Sequence, residues 1–194
     1  MKKLIVDTET SGLPSNWKAY DEDITIWPRL VEIALIVLDY EDKTIISKNF
    51  IIKPEGFSIP VEASKVHGIT TEKALSEGSD LRNTLLELAE DLSNCEMLIA
   101  HNIDFDYPVI NCEFKRTNIN TKIHQLKRLC TMKASTDFCN IPSPYGPKWP
   151  KLEELYEILF GKHLEASHSA KGDATACAEC YVELKKRKII FYNC

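Results

Sequence analysis

Leu30 to Leu38 is apolar at every position except Glu32. A run of that length with no polar alternation reads as a central strand buried on both faces, which requires helices on either side of a sheet. Lys3 to Val6 is a shorter strand that delivers Asp7 at its carboxyl end, where open α/β sheets place their ligands. Ile45 to Ile52 completes a three-stranded antiparallel meander before Pro54 and Gly56 break it. Leu81, Leu85, Leu88, Ala89 and Leu92 then recur at helical spacing behind a Ser79 or Asp80 cap. Met97 to Ala100 predicts a further buried strand. A helix starts near Phe105, with Pro108 tolerated in its first turn, and Lys127 to Cys130 predicts a last short strand. Pro142, Pro144, Pro147 and Pro150 make the stretch from Asn140 to Pro150 a stiff connector. Leu152, Leu155, Tyr156, Leu159 and Phe160 predict a helix stopped by Gly161, and a final helix runs from about Gly172 to Lys188. The expectation is an α/β protein whose mixed sheet is antiparallel in strands 1–3, parallel thereafter, and flanked by helices. At 194 residues the chain fits one domain, 1–194.

A net charge of −5 argues against a protein that coats nucleic acid through bulk electrostatics. It does not exclude a nuclease, because acidic metal ligands enter that count and bound cations reverse the local sign. Lys115, Arg116, Lys122, Lys127, Arg128 and Lys133 share a stretch whose one acid is Glu113. That stretch reads as a phosphate-facing edge or, equally, as a solvated basic face. Seven scattered cysteines, the last at Cys194, argue against a secreted disulfide framework. Cys177 and Cys180 lie within a helical pattern and read as helix packing, with metal or redox chemistry the alternative. Met1-Lys2-Lys3 imitates a secretory start, but Asp7 ends the apolar run too early, and no run approaches a membrane span. The expectation is a soluble, cytoplasmic protein with reduced thiols and no membrane partner.

Three acidic segments stand at the predicted element boundaries. Alternate residues of a strand share a face, so Asp7 and Glu9 converge while Thr8 points away. Taken alone, two acids at a strand end are commonplace. His101-Asn102-Ile103-Asp104-Phe105-Asp106 sets a carboxylate at a helix start, where it would act as a cap or as a ligand, and Asp104 rivals Asp106 for either task. His168 lies on a loop rich in small residues, five positions before Asp173. Clustered hard carboxylates with one imidazole suit two divalent metals and a general base, the equipment for cutting a phosphodiester.

These segments resemble those of the DnaQ-like, or DEDDh, 3′→5′ exonucleases of the ribonuclease H-like superfamily, and the resemblance spans about Leu4 to Val182. Asp-x-Glu-Thr-x-Gly-Leu occupies 7 to 13, Phe-Asp follows His-Asn at 101 to 106, and His and Asp stand five apart at 168 and 173. The resemblance selects Asp106 over Asp104. It implies Asp7, Glu9, Asp106 and Asp173 as metal ligands, Asp106 directly or through water, and His168 as the base. Two Mg²⁺ ions are the implied cofactor, with Mn²⁺ a substitute. It further implies that Thr10, Leu13, Glu62, His67, His101 and Asn102 hold the 3′ end of a single-stranded nucleic acid. A DNA polymerase in trans and a second copy of the chain are implied as partners, and DNA is favoured over RNA as substrate. Without the resemblance, His67 reads as a loop histidine and Leu13 as core. The rivals are an exoribonuclease, a silent nucleic-acid-binding module, and an endonuclease or polynucleotidyl transferase of the same fold. An insert from Pro14 to Pro28 carries Trp17, Tyr20 and Trp27, aromatics that would stack on bases or simply pack the loop down.

Overall fold

A computed structural model of the chain describes residues 1–17, 23–164 and 169–191. His168, Tyr20 and Cys194 lie outside the described residues. Five strands form one mixed sheet in the order β3-β2-β1-β4-β5: β1 is Lys3–Thr10, β2 Leu30–Leu38, β3 Thr44–Ile51, β4 Met97–Ala100 and β5 Lys127–Cys130. β1, β2 and β3 pair antiparallel, while β4 joins β1 and β5 joins β4 in parallel.

All nine residues of β2 are buried, as the apolar run requires. β1 continues four residues past Val6, because β2 supplies backbone partners as far as Thr10. Its even positions, Leu4 and Val6, pack with α3 (Leu81–Ser93) and α4 (Ile103–Arg116) on one face. Ile5, Ala34, Ile36, Met97 and Ile99 pack on the other face with α7 (Leu152–Phe160) and α8 (Ala170–Lys186). Cys177 and Cys180 are buried on this second face, the packing role expected of them.

Local signals set the helix ends. Asp80 caps α3 by accepting the Asn83 N–H at 2.8 Å, and Ser169 caps α8 by accepting the Gly172 N–H at 3.2 Å. α4 starts two residues before Phe105, so Pro108 falls in its second turn rather than its first. Two seven-residue helices, α1 (Val61–His67) and α2 (Thr71–Glu77), had no counterpart in the sequence reading, nor did the one-turn helices α5 (Thr131–Ala134) and α6 (Thr136–Cys139).

The insert is clamped onto α4. Arg116 donates to the backbone carbonyls of Trp27, at 2.7 Å, and of Ile24, and ion-pairs with the fully buried Glu113, which also accepts from Arg29 Nε at 2.8 Å. Arg116 therefore does not belong to a phosphate-facing edge. Trp27 is buried, whereas Trp17 is half-exposed and stacks against Phe105 with ring centroids 5.9 Å apart.

The far end of the sheet is fixed by an ion triad around the buried Lys3. Lys3, 3% exposed, donates to the Asp39 carbonyl at 2.8 Å and to Asp42 Oδ1 at 2.5 Å, and Lys185 of α8 donates to Asp42 Oδ2 at 2.5 Å. Asp42 has φ +63°, a conformation that asparagine also tolerates, so Asp42→Asn removes the charge without straining the turn. Leaving Lys3 without its anion is expected to cost about 3 kcal/mol. Thermal melting should then show a Tm lower by about 6–10 °C, and a shift below about 2 °C would show that the triad contributes little.

Candidate active site

Two faces of the sheet contribute carboxylates to the carboxyl end of β1. Asp7 and Glu9 share the α8 face with Ile5, and Asp173 stands in the first turn of α8 above them. One carboxylate oxygen from each of Asp7, Glu9 and Asp173 lies within 4.8 Å of the others, and all three residues are partly exposed. Thr8 points to the opposite face and donates its hydroxyl to Asp106 Oδ1 at 2.8 Å, which fixes the fourth carboxylate, 3% exposed, in the first turn of α4. Asp104, two residues earlier, is exposed and paired with Lys133, turned away from the cluster.

Four carboxylates this close repel one another. Burial, then the charges of Asp106, Asp173, Glu9 and Glu32, hold the Asp7 carboxyl well above its ordinary range. Burial, followed by Asp173, Glu32 and Asp106, pushes Glu9 up to about 8. Burial also raises Asp106, to about 7, against the lowering hydrogen bonds from Thr8. A site that disfavours its own negative charge is one that divalent cations would stabilise, and hard oxygen donors suit Mg²⁺ or Mn²⁺. The donor set therefore fits the implied metals: Asp7, Glu9 and Asp173 would hold them, with Asp106 beside them.

A stability prediction follows. In chelator, raised carboxyl pKa values mean that the folded state binds more protons than the unfolded state, so stability falls as pH rises through the folded values. His67 is held low by burial, and His101 is lowered to about 4 by burial. They act in the opposite sense, gaining stability as pH rises, but only below the ordinary histidine pKa of about 6.5. Between about pH 7 and pH 8.5 the carboxylates dominate, so the Tm in EDTA should drop across that window, and millimolar Mg²⁺ should remove most of the drop. A Tm in EDTA that is flat or rising over the window would contradict the cluster's electrostatics.

Beside the carboxylates opens a pocket of about 440 Å³ lined by Glu9, Thr10, Gly12, Leu13, Glu62, Val66, His67 and Phe105, among others. Leu13 is 73% exposed, so it is not core. His67 ends α1, and its Nδ1 accepts the Ile69 N–H at 3.1 Å. Its buried Nε2 lies near the Thr10 backbone without a hydrogen bond of normal geometry. The Thr10 hydroxyl donates to the Gly12 carbonyl at 2.6 Å, bending the chain into the pocket wall.

The surroundings of His101 and Asn102 are set by the corner between β4 and α4. The His101 ring nitrogens lie 3.0 Å from the Thr131 hydroxyl and 3.0 Å from the Pro150 carbonyl, so the imidazole ties the proline-rich connector to β4 and offers no free nitrogen to a ligand. Asn102 adopts φ +79° as the corner before α4, a left-handed position asparagine takes readily, and its backbone carbonyl accepts the Phe105 N–H. Thr8 and Phe105 were not foreseen as site residues. The signal for Thr8 lay in its place between two converging acids, but its partner on α4 could not be read from spacing.

The profile of the family described as exonuclease, RNase_T, matches residues 4–181. The chain belongs to the exonuclease family. It is 29% identical over 182 residues to the DNA polymerase III subunit epsilon of Haemophilus influenzae, covering 93% of this chain and 66% of that protein. The epsilon subunit of Treponema pallidum is 28% identical over 182 residues, with 92% of this chain and 74% of that protein covered. In fold, the chain matches a zinc-bound Escherichia coli exonuclease I–single-stranded DNA complex with TM-score 0.77 and 20% identity, over 96% of this chain and 41% of that one. The chain thus spans about two thirds of the Haemophilus epsilon subunit and about two fifths of exonuclease I. The family is a DnaQ-like branch of the ribonuclease H-like superfamily, and the observed mixed sheet with flanking helices is that fold. Among the described residues, no helix is long and apolar enough to cross a membrane.

Proposed function

We propose that the chain hydrolyses single-stranded DNA from its 3′ end and releases nucleoside 5′-monophosphates. The observation that carries this reading is the Asp7, Glu9 and Asp173 cluster beside a pocket whose wall Glu9 shares with Leu13, Glu62 and His67. At about 440 Å³ the pocket has room for a terminal nucleotide next to the carboxylates. Divalent cations, Mg²⁺ or its substitute Mn²⁺, would be held by these carboxylates and, when bound, would supply Lewis acidity toward the attacking water and the leaving 3′ oxygen.

The chain's own residues do the rest. Asp7, Glu9 and Asp173 would hold the cations, and Asp106 would complete the set from α4, oriented by Thr8. Leu13 presses its exposed side chain against the terminal bases. Glu62 and the His67 ring line the pocket where the sugar would sit, and Thr10 shapes the wall beneath it. His168 removes the water's proton. DNA is favoured because relatives of this chain include DNA polymerase III epsilon subunits and human three-prime repair exonuclease 1. By the same reading the partners are single-strand 3′ ends and a DNA polymerase in trans, and the compartment is the cytoplasm.

Matched 5′-labelled DNA and RNA oligonucleotides test the substrate. With Mg²⁺, the DNA should shorten faster, and faster loss of the RNA would make the chain an exoribonuclease instead. Neither strand shortening would leave the silent-module reading standing.

A further inference from the structure

Glu32 is the one polar residue in a strand that is otherwise apolar, and it lies 5% exposed directly opposite Glu9 in the β1–β2 register. Both side chains therefore face α8, and like charges directly opposite across two strands are destabilising. Something must offset that cost. Glu32 Oε2 accepts the backbone N–H of Ala170 at 3.1 Å, and Oε1 accepts from Asn49 Nδ2 of β3 at 2.9 Å. Ala170 is the first residue of α8, and Asp173 stands three residues on, in the same turn. Of the amides in that turn, Gly172 is capped by the Ser169 side chain and Asp173 bonds the Ser169 carbonyl. Ala170 alone among these three is held by a residue of the sheet.

We propose that Glu32 is a positioning residue: its buried carboxylate pins the first turn of α8 to β2, and so sets where Asp173 stands relative to Asp7 and Glu9. The inference rests on the function proposed above, but its structural half does not depend on activity. Asn49 fixes the second carboxylate oxygen, so that the first keeps a constant direction toward Ala170. Because Asn49 itself is exposed, its amide can turn and serve a glutamine equally well. The acceptor, rather than the charge, is then what the helix needs.

Two variants of the full chain separate these roles. Glu32→Met keeps the volume and removes both the acceptor and the repulsion with Glu9, so it should fold. Its Ala170 amide should exchange with deuterium at least about tenfold faster. On single-stranded DNA its kcat should fall about 30-fold with KM within about threefold of wild type, since a misplaced group costs turnover rather than binding. Glu32→Gln should return both the exchange rate and kcat to within about threefold of wild type. Asp42→Asn, destabilised at the opposite end of the sheet, should keep its kcat and so distinguish positioning from general loss of stability. Wild-type exchange and kcat in Glu32→Met would overturn the proposal, as would Glu32→Gln failing as badly as Glu32→Met. If the wild-type chain cleaves nothing, the function reading fails while amide exchange still decides the role of Glu32.

Discussion

Replacing Asp7 with asparagine should abolish cleavage and, in EDTA, raise the Tm. The two opposite signs come from one cause. Asp7 lies among Glu9, Asp106 and Asp173, and burial and those charges hold its carboxyl well above the ordinary range. Removing its charge relieves the folded state when no cation is bound. It also removes a hard anionic donor that the cations require. Metal assistance is worth several kcal/mol of transition-state stabilisation, so turnover should drop about 10³-fold or more. Melting in EDTA, together with a rate measurement in Mg²⁺, checks both signs. A variant that keeps its rate would remove Asp7 from the metal site, and one that loses stability in EDTA would contradict the repulsion among the four acids.

His168→Ala should lower turnover about 10²–10⁴-fold while leaving Mn²⁺ affinity nearly intact. The contrast with Asp7 is chemical: a general base acts on the water's proton, whereas a carboxylate ligand holds the cation itself. Calorimetric Mn²⁺ titration separates them, because Asp7→Asn should lose the binding isotherm and His168→Ala should keep it. Equal loss of binding in both would take His168 out of the base role. In sequence His168 immediately precedes Ser169, the cap of α8, whose first turn carries Asp173.

Much of this architecture was legible because burial wrote it into the sequence. β2 and β4 run between the residues that the apolar runs marked. The short helices α1 and α2 were not, since helices of seven residues with mostly exposed side chains leave no sustained period to detect. The extension of β1 through Glu9 depends on β2 lying alongside, which is a tertiary fact.

In the site, strand alternation alone was enough to put Asp7 and Glu9 together and to send Thr8 away. Choosing between Asp104 and Asp106 needed more than spacing. On α4 the two point in different directions, one toward Lys133 and the other toward Thr8. His101 marks the limit of a motif read without its surroundings: the imidazole is hydrogen-bonded to residues 30 and 49 positions later in the chain, which no local pattern announces. Glu32 was visible as an anomaly in β2, yet its partner at Ala170 is 138 residues away.

The most direct test of the central claim is a single-turnover digest of a 5′-labelled single strand with Mg²⁺, resolved by length. The digest should give a ladder that shortens one nucleotide at a time from the 3′ end, with release of nucleoside 5′-monophosphates, and should stop on addition of EDTA. Internal cuts, or shortening that persists in EDTA, would contradict it.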